Sequence, residues 1–193
     1  MRNIAGGFLG IVVGSYLIVA LVGLSPPEPA YPSPLDLIWA IFVGSQALRS
    51  TLQTIFQGQA AVTYLATWLL IGLVIAPFSR KGWNTVRTVV WVGVTLAIMA
   101  LIGQLFENPA YWDITFNPLR NYDLIYQFSL SLVTSLLTLL SAIPLTMAID
   151  RTLRAGELPI PEKIETRCNC GAVFKSNPLI CSECGAILRK PGD

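Results

Sequence analysis

The chain has 193 residues, of which 53% are hydrophobic and only 12% charged. A soluble domain carries about a quarter charged residues, so this composition excludes an ordinary water-soluble globular protein. The net charge is +2 and Lys and Arg form no long cluster, which argues against nucleic acid as a partner.

A membrane core about 30 Å thick asks for roughly 20 apolar residues in helical form, because every backbone polar group must be satisfied inside the segment. Four windows meet this demand without a charged residue: 4–24, 60–78, 88–106 and 124–149. They predict an all-α polytopic membrane bundle with four transmembrane helices, integral to the cell membrane and in contact with the lipid bilayer. The first window has a long apolar region and no small-x-small cleavage site before the prolines that follow, so it reads as a retained anchor. The last is long enough to tilt or to project, and Pro144 predicts a kink near its end.

Residues 36–57 are ambiguous, because only residues 37–48 are dominantly apolar before Arg49 interrupts them. A run of that length reads as an interfacial or re-entrant helix, with a fifth spanning helix as the alternative. Gln46, Arg49, Ser50, Gln53 and Gln57 recur at helical spacing opposite Leu48, Leu52, Ile55 and Phe56, the pattern of a helix at a surface or lining a bundle. An arginine here ordinarily snorkels to the interface, with Gln53, Gln57, Gln104 or Glu107 as candidate partners.

Lipid is as apolar as leucine, so association between spans depends on small residues that let backbones approach. Gly6, Gly10 and Gly14 form such a face on the first span, Gly72 and Ala76 on the second, and Gly93, Ala97, Ala100 and Gly103 on the third. Ser131, Ser135 and Thr138 share one face of the last. No span contains an Asp, Glu, Lys or Arg of the kind that ion and proton pathways use, so packing is the expected role of these stripes.

Sidedness follows from Lys and Arg, which favour the cytoplasmic side in short loops. The loop after the second span holds Arg80, Lys81 and Arg87 without an acid, whereas residues 107–123 hold Glu107, Asp113 and Asp123 against Arg120 alone. The first loop is expected inside and the second outside, which sends the C-terminal tail to the cytoplasm. If residues 36–57 do not cross, Arg2 is cytoplasmic and the proline-rich loop before them external; crossing reverses both. The non-crossing arrangement is preferred. The chain then divides into a helical domain (1–150), a linker (151–166) broken by Pro159 and Pro161, and a compact tail (167–190).

That tail carries every cysteine of the chain, Cys168, Cys170, Cys181 and Cys184, and the chain has no histidine. The pairs are spaced C-x-C and C-x-x-C, and each ends in glycine, Gly171 and Gly185, where positive φ lets the backbone turn tightly around an ion. Four thiolates can close a tetrahedral site. The stretch resembles the zinc-ribbon family, in which two cysteine knuckles grip one structural zinc beside a short β-hairpin, and the resemblance covers about residues 167–190. It implies one structural zinc ion as cofactor, with the four cysteines as ligands. The first knuckle departs from the common ribbon by one residue. Disulfides, which need an oxidising compartment, and an iron site are the competing readings. Val173, Phe174, Leu179, Ile180 and Ile187 are expected to form a small apolar cluster, too few groups to order the tail without metal.

No catalytic constellation is visible: there is no histidine, no useful carboxylate pair, no phosphate loop and no nucleophile motif. The expectation is therefore a membrane scaffold or accessory subunit and not an enzyme. Its cytoplasmic ribbon would dock another membrane protein or a cytoplasmic protein. The competing reading is a small transporter or channel component with its polar element around Arg49.

Overall fold

The computed structural model describes residues 1–28, 31–58, 60–79, 82–115, 117–154, 166–175 and 178–188. Arg80 and Lys81, and the linker prolines Pro159 and Pro161, lie outside the described residues. Two compact units are present, Met1–Arg154 and Ala155–Asp193.

In the first unit the chain forms α1 (Arg2–Val22), α2 (Trp39–Arg49), α3 (Thr51–Phe56), α4 (Ala61–Ile75), α5 (Trp83–Glu107), α6 (Arg120–Ser135) and α7 (Leu139–Arg154). A 3₁₀ turn, Ala76–Phe78, prolongs α4, and another, Leu136–Thr138, joins α6 to α7. Among the described residues four helices are long and apolar enough to cross a membrane: Arg2–Val22, Ala61–Phe78, Trp83–Glu107 and Arg120–Leu153. Each falls on one of the four windows read from the sequence. Three begin earlier than their apolar windows, at Arg2, Trp83 and Arg120, because their first turns are polar yet helical. Pro144 lies inside α7, and the departure from α-helical bonding falls upstream of it, at Leu136–Thr138. There the Ser135 and Thr138 hydroxyls donate to Leu132 O and Ser135 O, each at 2.7 Å, competing with the backbone ladder.

The small residues set the helix order. A Cβ at Gly6 would meet Phe78 at 2.7 Å and Thr88 at 3.4 Å, and one at Gly10 would meet Ile75 at 2.7 Å. Position 6 thus sits beside the end of α4 and the start of α5, so α1 runs antiparallel to α4 and parallel to α5. A Cβ at Gly93 would come within 3.0 Å of Leu132 Cα, and one at Gly72 would strike Ser141 and Thr138, which seats the last long helix antiparallel to α5 and parallel to α4. Ala76, Ala97 and Ala100 are buried, as are Ser131, Ser135 and Thr138. Leu48, Trp68, Ile71, Ile75, Val89, Val92 and Leu96 fill the centre between them, all at 0% exposure.

Arg2 donates to Phe78 O and Pro77 O at 3.2 and 3.1 Å, so the start of α1 and the turn after α4 share one end of the bundle. Tyr31 donates to Glu107 at 2.8 Å, which ties the loop after α1 to the opposite end. From that Glu107 end α2 descends with Phe42 stacked edge-on against Phe106 and Gly44 against Ser15. It stops where Leu48 reaches Gly14, eight residues short of the end of α1, a depth of about 12 Å. At that point Ser50 and Thr51 turn their hydroxyls back onto Ala47 O and Leu48 O, and α3 returns toward the start of α4 at the same end. Residues 36–57 therefore do not traverse the bundle.

The second unit is small. β1 (Thr166–Arg167) pairs antiparallel with β2 (Val173–Phe174), Thr166 opposite Phe174 and Arg167 opposite Val173. A single antiparallel bridge joins Ile180 to Ile187.

Candidate metal centre and an embedded arginine cluster

The two cysteine pairs sit on turns built to the same plan. In the first, Cys168 N donates to Ala172 O and Gly171 N to Cys168 O, both at 2.9 Å; in the second, Cys181 N donates to Ala186 O at 2.8 Å and Gly185 N to Cys181 O at 2.9 Å. Gly171 and Gly185, at φ 95° and 72°, take the left-handed conformation that closes each turn, a region costly for residues with a Cβ. The second turn is one residue longer, which is the C-x-x-C spacing against C-x-C. The strand pair brackets the first turn, and the Ile180–Ile187 bridge brackets the second.

These turns bring the four sulfurs within 4.8 Å of one another. Cys168 Sγ lies 3.4 Å from Cys184 Sγ, and Cys170 Sγ lies 3.6 Å from Cys181 Sγ, so each close contact joins one turn to the other. Tetrahedral coordination at a metal–sulfur distance of about 2.3 Å separates sulfurs by about 3.8 Å, and the observed spread brackets that value. The backbone N–H of Cys184 and the other donors around Cys181 Sγ favour its thiolate and hold that thiol down at about 7. The four cysteines can thus hold one metal ion, with every tetrahedral position filled by protein.

The aliphatic cluster expected around this centre does not form. Val173, Leu179, Ile180 and Ile187 are 52%, 53%, 58% and 71% exposed, and only Phe174 is half-buried. The turns are too tight to place these side chains inward, and they stand on the surface of the unit.

In the helical unit the polar stripe read from residues 46–57 divides. Gln46 and Arg49 turn inward, whereas Gln53 and Gln57 lie exposed beyond the bend. Arg49 donates one Nη to Gln127 Oε1 of α6 and the other, at 3.3 Å, to Gln104 Oε1 of α5. Gln127 in turn donates its amide N–H to Asp123 Oδ2 at 2.7 Å, and Tyr111 donates to the same oxygen at 2.6 Å. One neutral amide thereby links a cation to an anion, accepting from the first and donating to the second. A cavity of about 310 Å³ opens beside this chain, with Arg49 and Gln127 on its polar side and Leu101, Leu124, Ile125 and Phe128 among its apolar walls. The Nε2 of Gln46 is buried without a hydrogen-bond partner among the described residues.

Of the partners anticipated for Arg49, Gln104 makes direct contact and Gln53 and Gln57 do not. Gln127, Asp123 and Tyr111 escaped the sequence reading. Asp123 and Gln127 stand four apart at the start of α6, spacing that puts both on one face, but nothing in the sequence points that face at Arg49. No family model, curated protein or solved structure matches the chain.

Proposed function

We propose that this chain is an integral membrane scaffold or accessory subunit whose C-terminal unit is a cytoplasmic zinc ribbon that docks a protein partner. The carrying observation is the convergence of four thiols from two matching turns on a unit whose aliphatic side chains face outward. Zinc suits the donor set, since four thiolates at tetrahedral spacing are its common structural environment. A site closed by protein leaves no position for substrate, so the metal's role is to fold the unit. The exposed Val173, Leu179, Ile180 and Ile187 then form the contact surface, in keeping with apolar patches that mark interaction sites. Small-residue helix faces and the bilayer hold the helical unit, and no catalytic step is assigned to the chain.

The cytoplasmic placement of the tail rests on the charge pattern. Arg2 and the turn that precedes Arg87 share one end, and Glu107, Asp113 and Asp123 cluster at the other.

Metal analysis of the purified chain should give about one zinc per polypeptide. Ile180→Ser with Ile187→Ser should keep that zinc yet release the protein that co-purifies in gentle detergent. Absence of zinc overturns the ribbon; an unchanged set of companions in the double variant overturns the docking role.

A second reading, a small transporter or channel component, has the Arg49–Gln127–Asp123 chain and its adjoining cavity behind it. It requires solute flux in reconstituted vesicles that Arg49→Gln abolishes. Intact flux in that variant, or none in the wild type, excludes it.

A further inference from the structure

Two adjoining hollows run along the seam between α1 and α5 from the Arg2 end, with volumes of about 560 and 490 Å³. They share Met1, Ile4, Trp91 and Val94, so together they make one continuous groove. Its mouth is cationic, lined by Arg2 and Arg87 with Trp83, and among the described residues no acidic one lines either hollow. Its lower part is apolar, between Ile4 and Phe8 on one side and Trp91 and Ile98 on the other. From Trp83 to Ile98 α5 rises about 22 Å, enough to cross a headgroup layer and most of the roughly 15 Å of one hydrocarbon leaflet.

We propose that this groove binds one anionic phospholipid of the leaflet at the Arg2 end, with the phosphate between Arg2 and Arg87 and one acyl chain along Ile4, Phe8, Trp91 and Ile98. The proposal rests on the reading of the helical unit as membrane-embedded. Three features favour a defined lipid over ordinary solvation by the bilayer. Arg2 is held by two backbone carbonyls, so its guanidinium is positioned before a ligand arrives and loses little freedom on binding. Two of its five N–H groups are used in that way, which leaves donors free to form the forked contact that guanidinium makes with phosphate. Trp83, 69% exposed at the mouth, places an amphipathic ring at headgroup level. Net charge provides the selection. A zwitterionic lipid would bring its own cation against Arg87, whereas phosphatidylglycerol brings none.

The test uses the full chain, stripped of lipid in detergent and given equimolar phosphatidylglycerol and phosphatidylcholine before native mass spectrometry. One phosphatidylglycerol per chain should be retained, in preference on the order of tenfold. Arg87→Gln should bring the two lipids near parity. Arg151→Gln, at the same end on α7 but outside the groove, should leave the preference intact. Arg2 is spared because it also holds the turn after α4. Val94→Phe, which fills the shared section, should lower retention of both lipids, and excess inorganic phosphate should not displace the bound one. Parity in the wild type, or equal loss in the Arg87 and Arg151 variants, overturns the site. Carbonate extraction reports the underlying reading separately: release of the chain from membranes overturns both, whereas a retained chain without lipid preference overturns the groove alone.

Discussion

The indole N–H of Trp68 donates to Thr51 Oγ1 at 2.8 Å, and the same hydroxyl donates to Leu48 O at 2.5 Å. One threonine thus fixes the bend between α2 and α3 and pins it to α4, and both side chains are fully buried. Thr51→Val keeps the shape but strands the indole donor, which should cost about 1–3 kcal/mol. Trp68→Phe should cost more, through lost volume as well. Unfolding in mixed micelles provides the double-mutant cycle: the double variant should lose less than the two singles combined, and strict additivity would show that the pair does not interact.

Packing between α5 and α6 gives a second expectation. A Cβ at Gly93 would stand 3.0 Å from Leu132 Cα, a backbone atom that cannot rotate away. Gly93→Ala should therefore push the helices apart and destabilise the unit by about 1–3 kcal/mol, although alanine favours the helix itself. A neutral or stabilising result in the same assay would contradict the close approach.

The long helices and the four-cysteine cluster were legible in the sequence for the same reason: each is specified locally, by a run of apolar residues or by cysteines a few positions apart. The half-depth bend at Ser50 was not, because hydropathy reports how much apolar chain is present and not where it stops. Neither was the pairing of Arg49 with Gln127, which lies 78 residues away, although Gln104 was among the partners its position suggested. The aliphatic residues of the tail misled in the opposite direction. Their chemistry suggested a cluster, yet two short turns with φ-positive glycines leave no interior for one.

Replacing the bridging amide should expose its role. Gln127→Leu removes one of the two acceptors for Arg49 and a donor to Asp123, at an expected cost of about 1–3 kcal/mol. In the Asp123→Asn background the same replacement should cost less, since the anion it serves is gone. Equal costs in both backgrounds, read from unfolding in micelles, would place Gln127 outside the chain.

Tyr111 gives a pH-dependent signature. Burial and then its hydrogen bond to Asp123 push its phenol from near 10 up to about 12. The fold favours the protonated phenol, so this contribution is fully present below pH about 10 and is lost as pH climbs through about 12. Asp123→Asn should bring the ionisation of this tyrosine down, as followed by ultraviolet difference absorbance with Tyr111→Phe as the subtraction control. No change in the titration would separate the two residues.

Metal removal should act on one unit only. A strong chelator, or Cys181→Ser, should make residues 166–188 sensitive to protease while Met1–Arg154 keeps its helical circular dichroism, because the hydrogen bonds of the helices are internal to them. Collapse of the helical signal would mean that the two units fold as one.

Orientation is open to direct labelling in a background lacking the four native cysteines. Asn121→Cys and Thr152→Cys place thiols at exposed positions near opposite ends of the last long helix. An impermeant reagent should modify the first in intact cells and leave the second untouched. The reverse pattern would invert the assignment of inside and outside.

The order of synthesis gives the bend at Ser50 a further consequence. When Arg49 is added to the nascent chain, neither α5 nor α6 has been made, and its two amide acceptors lie 55 and 78 residues further along the sequence, still to be translated. A guanidinium inserted into hydrocarbon at that moment would have no partner and would cost about 3 kcal/mol. The expected order is therefore that the segment rests at the bilayer surface until Gln104 and Gln127 have been made. The arginine that disfavours early entry is then the residue that ties α2 to two helices made after it, through Gln104 of α5 and Gln127 of α6.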